Sequence, residues 1–128
     1  MERGVKYMKL NERMNIKSTI EIERPKAHIT VEIIEYLSNS IVCKTIINKS
    51  TGGISVMSFD TGEELPVKTT PFDTFAQIID GTAEIMIAGE TFFLEAGQSI
   101  VIPAYAPNYT RPNGRFKMIL TVIKNGID

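Results

Sequence analysis

The 128-residue sequence has few of the residues on which several kinds of protein depend. Its single cysteine, Cys43, cannot form an intramolecular disulfide, which fits a reducing cytoplasm. It has one histidine, His28, and together these two residues are too few for an ordinary His/Cys zinc site within one chain. A disulfide-stabilised fold and a zinc centre of that kind are therefore excluded.

Neither an excess of one charge nor a long apolar run is present. The 14 basic and 15 acidic side chains give a net charge of −1, whereas proteins that bind nucleic acid through counterion release normally have a clear basic excess. No apolar stretch approaches the length that crosses a membrane, and the first residues are basic, without the apolar core of a secretory signal. We expect a soluble, cytoplasmic protein without a nucleic-acid or membrane partner.

The sequence is rich in segments that predict β-strands. Short runs rich in apolar and β-branched residues recur along the chain: Ile41–Ile47, Ile54–Phe59, Phe75–Ile79, Ala83–Ile87, Thr91–Leu94, Ile100–Ile102 and Phe116–Ile123. Turn residues such as Asp80-Gly81 and Asn113-Gly114 separate them at short intervals. This spacing predicts an all-β sandwich or barrel, with Val31–Leu37 as the one short helical candidate.

The first residues differ from the rest of the chain. Residues 1–24 have few apolar side chains and no clear pattern, so we expect an N-terminal arm that is flexible or exchanged between chains. Pro25 disfavours helix in the residue before it and marks the start of a folded body over residues 25–128.

Strand alternation assigns side chains to the two faces of the predicted sheets. One face of the last strand carries Phe116, Met118, Leu120 and Val122, and we take it as the interior. Lys117 and Thr121 fall on the opposite face. By the same argument the segment 83–87 directs Ala83, Ile85 and Ile87 inward.

The spacing of glycines and polar residues resembles the two motifs of the cupin superfamily. The first motif reads Gly, five residues, His-x-His, three or four residues, Glu, six residues, Gly. Here the corresponding positions carry Gly62, Lys68-Thr69-Thr70, Thr74 and Gly81.

The second motif reads Gly, five residues, Pro-x-Gly, two residues, His, three residues, Asn. It corresponds to Gly97, Pro103-Ala104-Tyr105 and Asn108, and Pro112 stands where the closing Asn is expected. The resemblance covers roughly residues 41–123. It implies a double-stranded β-helix, or jelly-roll, barrel.

The resemblance also implies where a metal would be bound, and the residues there are different. In metal-dependent cupins, two histidines, a glutamate and a later histidine bind the ion. The same positions here carry Lys68, Thr70, Thr74 and Asn108. A lysine ammonium cannot coordinate a metal, and neutral hydroxyl and amide groups are poor ligands for Fe, Mn, Ni or Zn. We therefore predict neither a metal site nor another cofactor.

If the scaffold is kept, these four residues converge inside the barrel mouth. Lys68 would hold a carboxylate or phosphate, and Thr70, Thr74 and Asn108 would orient it. We include Tyr105, which could stack on a planar ligand, and Met118 on the interior face. A tyrosine at the motif's glycine position does not adopt a positive φ cheaply, so we expect this loop to differ. The predicted function is binding of a small polar or anionic metabolite without chemistry of its own.

Two alternatives stay open at this point. One is an enzyme, either isomerase-like with Asp73 as general base or metal-dependent through carboxylates among Asp60, Glu63, Glu64 and Asp73. The other is a structural barrel in which no pocket matters. Small cupins usually pair, so the resemblance also implies a homodimer.

Overall fold

The protein is built almost entirely of short strands. The structure is a computed structural model that describes residues 6–8, 16–19 and 22–124, with side chains for residues 22–124. The strands within these residues are β1 (Lys6–Met8), β2 (Ile16–Thr19), β3 (Ile41–Lys49), β4 (Gly52–Phe59), β5 (Asp73–Ile87), β6 (Glu90–Glu95), β7 (Ser99–Ile102), β8 (Asn108–Thr110) and β9 (Phe116–Ile123).

Strand β5 belongs to both sheets of the barrel. Its first half pairs antiparallel with β9 on one side and β7 on the other. Its second half pairs antiparallel with β6 and β8. On the far side of β9 the first sheet continues through β4 and β3, again antiparallel. The predicted all-β jelly-roll barrel is therefore confirmed.

The turn predicted at Asp80-Gly81 is wrong, because β5 passes through it without interruption. The pairing of β5 with β9 shifts register between Ile78 and Asp80, which marks a β-bulge. Gly81 has a φ of 73°, and a Cβ built there would lie 2.1 Å from the carbonyl oxygen of Arg115. Glycine is needed at this bulge for its positive φ and for the close approach of the neighbouring strand.

The core lies between the two sheets. The rings of Phe59 and Phe116 stack with centroids 4.3 Å apart and are fully buried. Ala83, Ile85 and Ile87 are buried with them, which confirms the predicted inward face of β5. Complete burial of one such large side chain is worth about 1.5–3 kcal/mol.

The outer face of the first sheet is partly covered by residues 29–40. Lys117 lies on the face opposite Phe116, as alternation predicts, yet it is only 8% exposed. Its ammonium donates a hydrogen bond of 2.7 Å to the carbonyl oxygen of Val31 and lies over the ring of Tyr36. The covering segment thus converts an outer face into a second buried layer.

The covering segment is mostly irregular rather than helical. Only Thr30–Glu32 forms a turn of 3-10 helix, which is shorter than the predicted Val31–Leu37 element. The carbonyl oxygens of Ile33 and Glu35 accept hydrogen bonds from side chains of β3 and β4 instead of from a helix backbone. Among the described residues, no helix is long enough and apolar enough to cross a membrane.

Part of the predicted arm is described as strand. β1 pairs antiparallel with β2, and β2 pairs parallel with β3 of the same chain. The remaining residues of the arm lie outside the described residues. The division of the chain at residues 24 and 25, and exchange of the arm between chains, stay predictions.

Candidate functional site

A cavity of about 200 Å³ opens between the two sheets of the barrel. Its polar lining comes from the loop before β5, from β5 itself and from β8: Lys68, Thr70, Thr74, Asn108 and Thr110. Its apolar lining consists of Leu65, Ala76, Ile85, Ile102, Met118, Leu120 and Val122. The four positions of the motif resemblance are thus brought together, and Met118 lies with them.

Strands β5 and β9 give the cavity its depth. Thr74 pairs with Val122, and two residues deeper Ala76 pairs with Leu120. Alternate residues of a strand share one face, so both pairs turn their side chains to the same interior. Thr74 and Val122 are partly exposed, whereas Ala76 is fully buried. The cavity is therefore open at the end formed by Lys68 and Thr74 and closed at the end formed by Ala76 and Ile85, where Thr110, opposite Ile85, is also buried.

A backbone bridge joins Lys68 to Asn108 at the open end. The N–H of each residue donates a hydrogen bond of 2.9 Å to the carbonyl oxygen of the other. The Asn108 side chain is also fixed, because its Nδ2 donates to the carbonyl oxygen of Ala106 at 3.0 Å. Asn108 is only 5% exposed, and its Oδ1 accepts no hydrogen bond within residues 22–124. This buried acceptor is left for a group inside the cavity.

Among the residues that the structure describes, Lys68 supplies the only charge in the cavity lining. Within residues 22–124, no carboxylate lies within ion-pair distance of its ammonium. Desolvation lowers the pKa of Lys68 from its ordinary value, and the neighbouring Cys43 opposes this effect. Burial in turn raises the pKa of the Cys43 thiol.

Lys68 lies at the open mouth of the cavity, where the residue as a whole is exposed although desolvation lowers its pKa. Solvent reaches one side of the side chain, and barrel atoms surround the other. Solvent on the open side limits the desolvation that lowers the pKa of Lys68.

The hydroxyl groups of the lining differ in whether they already have hydrogen-bond partners in the protein. Thr70 Oγ1 donates to the carbonyl oxygen of Phe72 at 3.0 Å and is engaged in a local turn. Thr110 Oγ1 accepts a hydrogen bond of 2.9 Å from the N–H of Leu65. Thr74 Oγ1 has no protein partner among residues 22–124. Thr74 is therefore the hydroxyl most available to a ligand.

Tyr105 is not part of the lining. Its side chain is 73% exposed, and its N–H donates a hydrogen bond of 2.6 Å to the carbonyl oxygen of Thr70. We expected the loop to avoid a positive φ here, and this expectation is wrong, because Tyr105 has a φ of 68°. A non-glycine residue in this region is strained. The short hydrogen bond to Thr70 fixes the strained backbone beside the cavity.

The donor set does not fit a divalent transition metal. One ammonium, two hydroxyls and a carboxamide stand at the four positions that the motif resemblance implies for a metal, and the Asn108 amide nitrogen is already donating to Ala106. Among the described residues, no three His, Cys, Asp or Glu side chains are grouped so that they could hold a metal ion.

Two carboxylates of the alternative interpretations, Asp60 and Asp73, have protein partners. Asp60 accepts a hydrogen bond of 2.7 Å from Arg115 Nε and another of 2.6 Å from the N–H of Asn39. The bond from Arg115 is the main reason that the pKa of Asp60 lies below its ordinary value. Asp73 accepts a hydrogen bond of 2.8 Å from the N–H of Ala104 and does not line the cavity.

Sequence reasoning missed Thr110 and Leu65. Both belong to the lining, and they are joined by a hydrogen bond. Thr110 lies two residues after Asn108 on β8, so both side chains share one face. The signal was available, but the three-residue strand is too short to stand out as an apolar run.

Several solved structures resemble this chain. A conserved Streptococcus pyogenes protein of unknown function is 32% identical with a TM-score of 0.77, over 81% of this chain and 91% of that one. A cupin 2 conserved barrel domain protein from Leptotrichia buccalis is also 32% identical, with a TM-score of 0.71, and the match covers 73% of this chain and 46% of that one.

A cupin superfamily protein from Desulfitobacterium hafniense shares the fold at 22% identity, with a TM-score of 0.76, over 81% of this chain and 95% of that one. No family model matches the sequence, and no curated protein does so.

Proposed function

The chain belongs to the cupin superfamily, and we propose that it is a metal-free member that binds a small polar or anionic metabolite in its barrel cavity, without chemical turnover. The observation that carries this proposal is the charge pattern of the lining. Lys68 brings one positive charge, and no acidic side chain accompanies it. A cavity with an uncompensated cation favours an anion.

The polar groups around Lys68 support the same conclusion. Thr74 Oγ1 and Asn108 Oδ1 are free of protein partners within residues 22–124, and both belong to the cavity. A buried polar atom without a partner is costly, so a ligand or water that satisfies Asn108 would be favoured. Three unused polar groups can thus fix the orientation of one small molecule.

In residues 22–124, the lining offers no group suited to general acid–base catalysis, which supports binding without turnover. A general base must lie within hydrogen-bond reach of the proton that it removes. Within the described part of the chain, the cavity lining has no carboxylate, histidine or cysteine, and Asp73 accepts a hydrogen bond from the backbone of Ala104 outside it. We therefore favour binding over the isomerase-like alternative.

We test this proposal by NMR with methyl-labelled methionine, because Met118 lines the cavity and reports on its occupancy. The probes are small carboxylates and inorganic phosphate. We expect at least one anion to shift the Met118 methyl signal, and Lys68→Met to weaken its binding about ten-fold or more, the usual effect of losing a charged hydrogen bond. Binding should also weaken at alkaline pH as the Lys68 ammonium loses its proton.

The control variant is Lys49→Met, which removes the same charge from an exposed position outside the cavity lining. If Lys68→Met and Lys49→Met weaken anion binding by the same factor, the effect reflects the loss of net charge and not the loss of a contact in the cavity. That result would contradict the proposed site.

The homodimer and the cytoplasmic location stay predictions. Phe75 and Val101 face each other across β5 and β7, and both are exposed, as is Ile123 at the end of β9. These side chains give the first sheet an apolar outer surface of the kind that dimers bury.

A further inference from the structure

The cavity distinguishes between anions by charge. Its lining has seven apolar side chains and one charged group, Lys68. One negative charge on a ligand would be neutralised by that ammonium. A second charge would be buried without a partner, which is strongly unfavourable among apolar walls.

The cavity also distinguishes between ligands by their hydrogen-bonding needs. Thr70 Oγ1 donates to the carbonyl oxygen of Phe72, and Thr110 Oγ1 accepts from the N–H of Leu65, which leaves the O–H of Thr110 as a donor. The other polar groups left for a ligand are Lys68 Nζ, Thr74 Oγ1 and Asn108 Oδ1. A sugar or a sugar phosphate would bury several hydroxyls without partners, and each would weaken binding.

The position of the apolar side chains gives the ligand a direction. Ala76, Ile85 and Met118 are 0%, 2% and 3% exposed and form the closed end. Lys68 is exposed, and Thr74 is partly exposed at the open end. A ligand that satisfies both ends has its charge at the mouth and hydrocarbon at the bottom.

The volume of the cavity sets the size of that hydrocarbon. An apolar protein cavity of about 150 Å³ stays dry and accepts benzene. The cavity here measures about 200 Å³. It is large enough for a ring of that size together with one carboxylate, and smaller than pockets for drug-sized ligands, which begin at about 300 Å³.

We propose that the ligand class of this cavity is a monocarboxylate with a compact apolar body, for which benzoate is the simplest probe. The carboxylate accepts hydrogen bonds from Lys68 and Thr74 at the open end. Asn108 Oδ1 can only accept a hydrogen bond, so a water molecule rather than the carboxylate pairs with it. The hydrocarbon contacts Ala76, Ile85 and Met118 at the closed end. This inference rests on the proposed function and narrows it from anions in general to one chemical class.

Isothermal titration calorimetry with four probes tests the class: benzoate, benzamide, acetate and ribose 5-phosphate. Benzamide has the same shape as benzoate without the charge, and we expect it to bind about ten-fold more weakly or worse. Acetate keeps the charge without the ring. It should bind on the order of 100-fold more weakly, because the buried apolar area is lost.

Two variants localise the ends of the ligand. Lys68→Met should reduce the affinity for benzoate to that for benzamide, and Lys49→Met should leave both unchanged. Val122→Phe places a larger side chain at a partly exposed lining position and should reduce benzoate binding while the charge is kept. The probe series on the unmodified protein gives the answer even where a variant does not fold.

The outcomes separate this inference from the proposed function. Preference for ribose 5-phosphate or acetate over benzoate, lost in Lys68→Met, would overturn the ligand class and leave anion binding in the cavity intact. Binding of benzoate and benzamide with equal affinity would also overturn it. If no probe in either experiment binds in a way that depends on Lys68, both proposals fail.

Discussion

Replacement of Tyr105 by glycine should stabilise the protein, although it removes an aromatic side chain. Tyr105 has a φ of 68°, and a left-handed conformation costs about 1–2 kcal/mol for a residue with a Cβ. The ring is 73% exposed, so its removal loses little buried surface. Glycine increases the entropy of the unfolded chain, which offsets about 0.4–1 kcal/mol of the gain.

The difference between these effects predicts a gain of about 1 kcal/mol in the free energy of unfolding. For a chain of this length, the gain corresponds to a rise of roughly 3–5 °C in Tm. Urea denaturation followed by circular dichroism measures it. The matched control is Tyr105→Ala, which removes the ring but keeps the strained Cβ.

The comparison between the two variants isolates the backbone strain. We expect Tyr105→Ala to lie close to the unmodified protein and Tyr105→Gly to lie about 1 kcal/mol above Tyr105→Ala. Equal stability of the two variants would refute the reasoning, because relief of the positive-φ strain should outweigh the larger entropy of the unfolded glycine variant. A large loss in both would instead show that the ring makes contacts that its exposure does not suggest.

Two further predictions concern positions away from the cavity. Gly81→Ala should destabilise the protein by about 2–4 kcal/mol in urea denaturation, since its Cβ would meet the carbonyl oxygen of Arg115 at 2.1 Å. Gly89→Ala, where φ is also positive but nothing lies within 4 Å, should cost only about 1–2 kcal/mol, and equal costs would argue against the close approach. Because the pKa of Asp60 is lowered in the folded state, its stabilising effect is present above pH ~4 and lost as the pH falls through its folded pKa. Asp60→Asn should therefore reduce stability at pH 7 and by less at pH 3, and an equal reduction at both would contradict the role of the charge.

Most of the fold was predictable from the sequence, because short apolar runs and regular turn residues are local signals. The turn at Asp80-Gly81 was not, since a glycine with positive φ serves a hairpin and a β-bulge equally well. Only the pairing of β5 with β9, more than 30 residues away, decides between the two. The burial of Lys117 could not be predicted from the sequence either, because it depends on the irregular segment 29–40 that covers the sheet.

The site was predictable where motif spacing was preserved. Lys68, Thr70, Thr74, Asn108 and Met118 all line the cavity. Tyr105 stands where the motif has glycine, and it lies outside the lining with its side chain exposed to solvent. Motif spacing thus located the backbone positions, but it did not determine the direction of this side chain.

The continuity of β5 means that the two sheets cannot act as separate bodies. Thr74 and Ala76 near one end of this strand and Ile85 near the other all border the cavity. A molecule held there touches the strand that both sheets share, so its binding energy is added to the stability of both at once. Neither sheet can open to release the molecule without disturbing hydrogen bonds of the same strand. Exchange of a bound molecule must therefore proceed through the loops at the mouth.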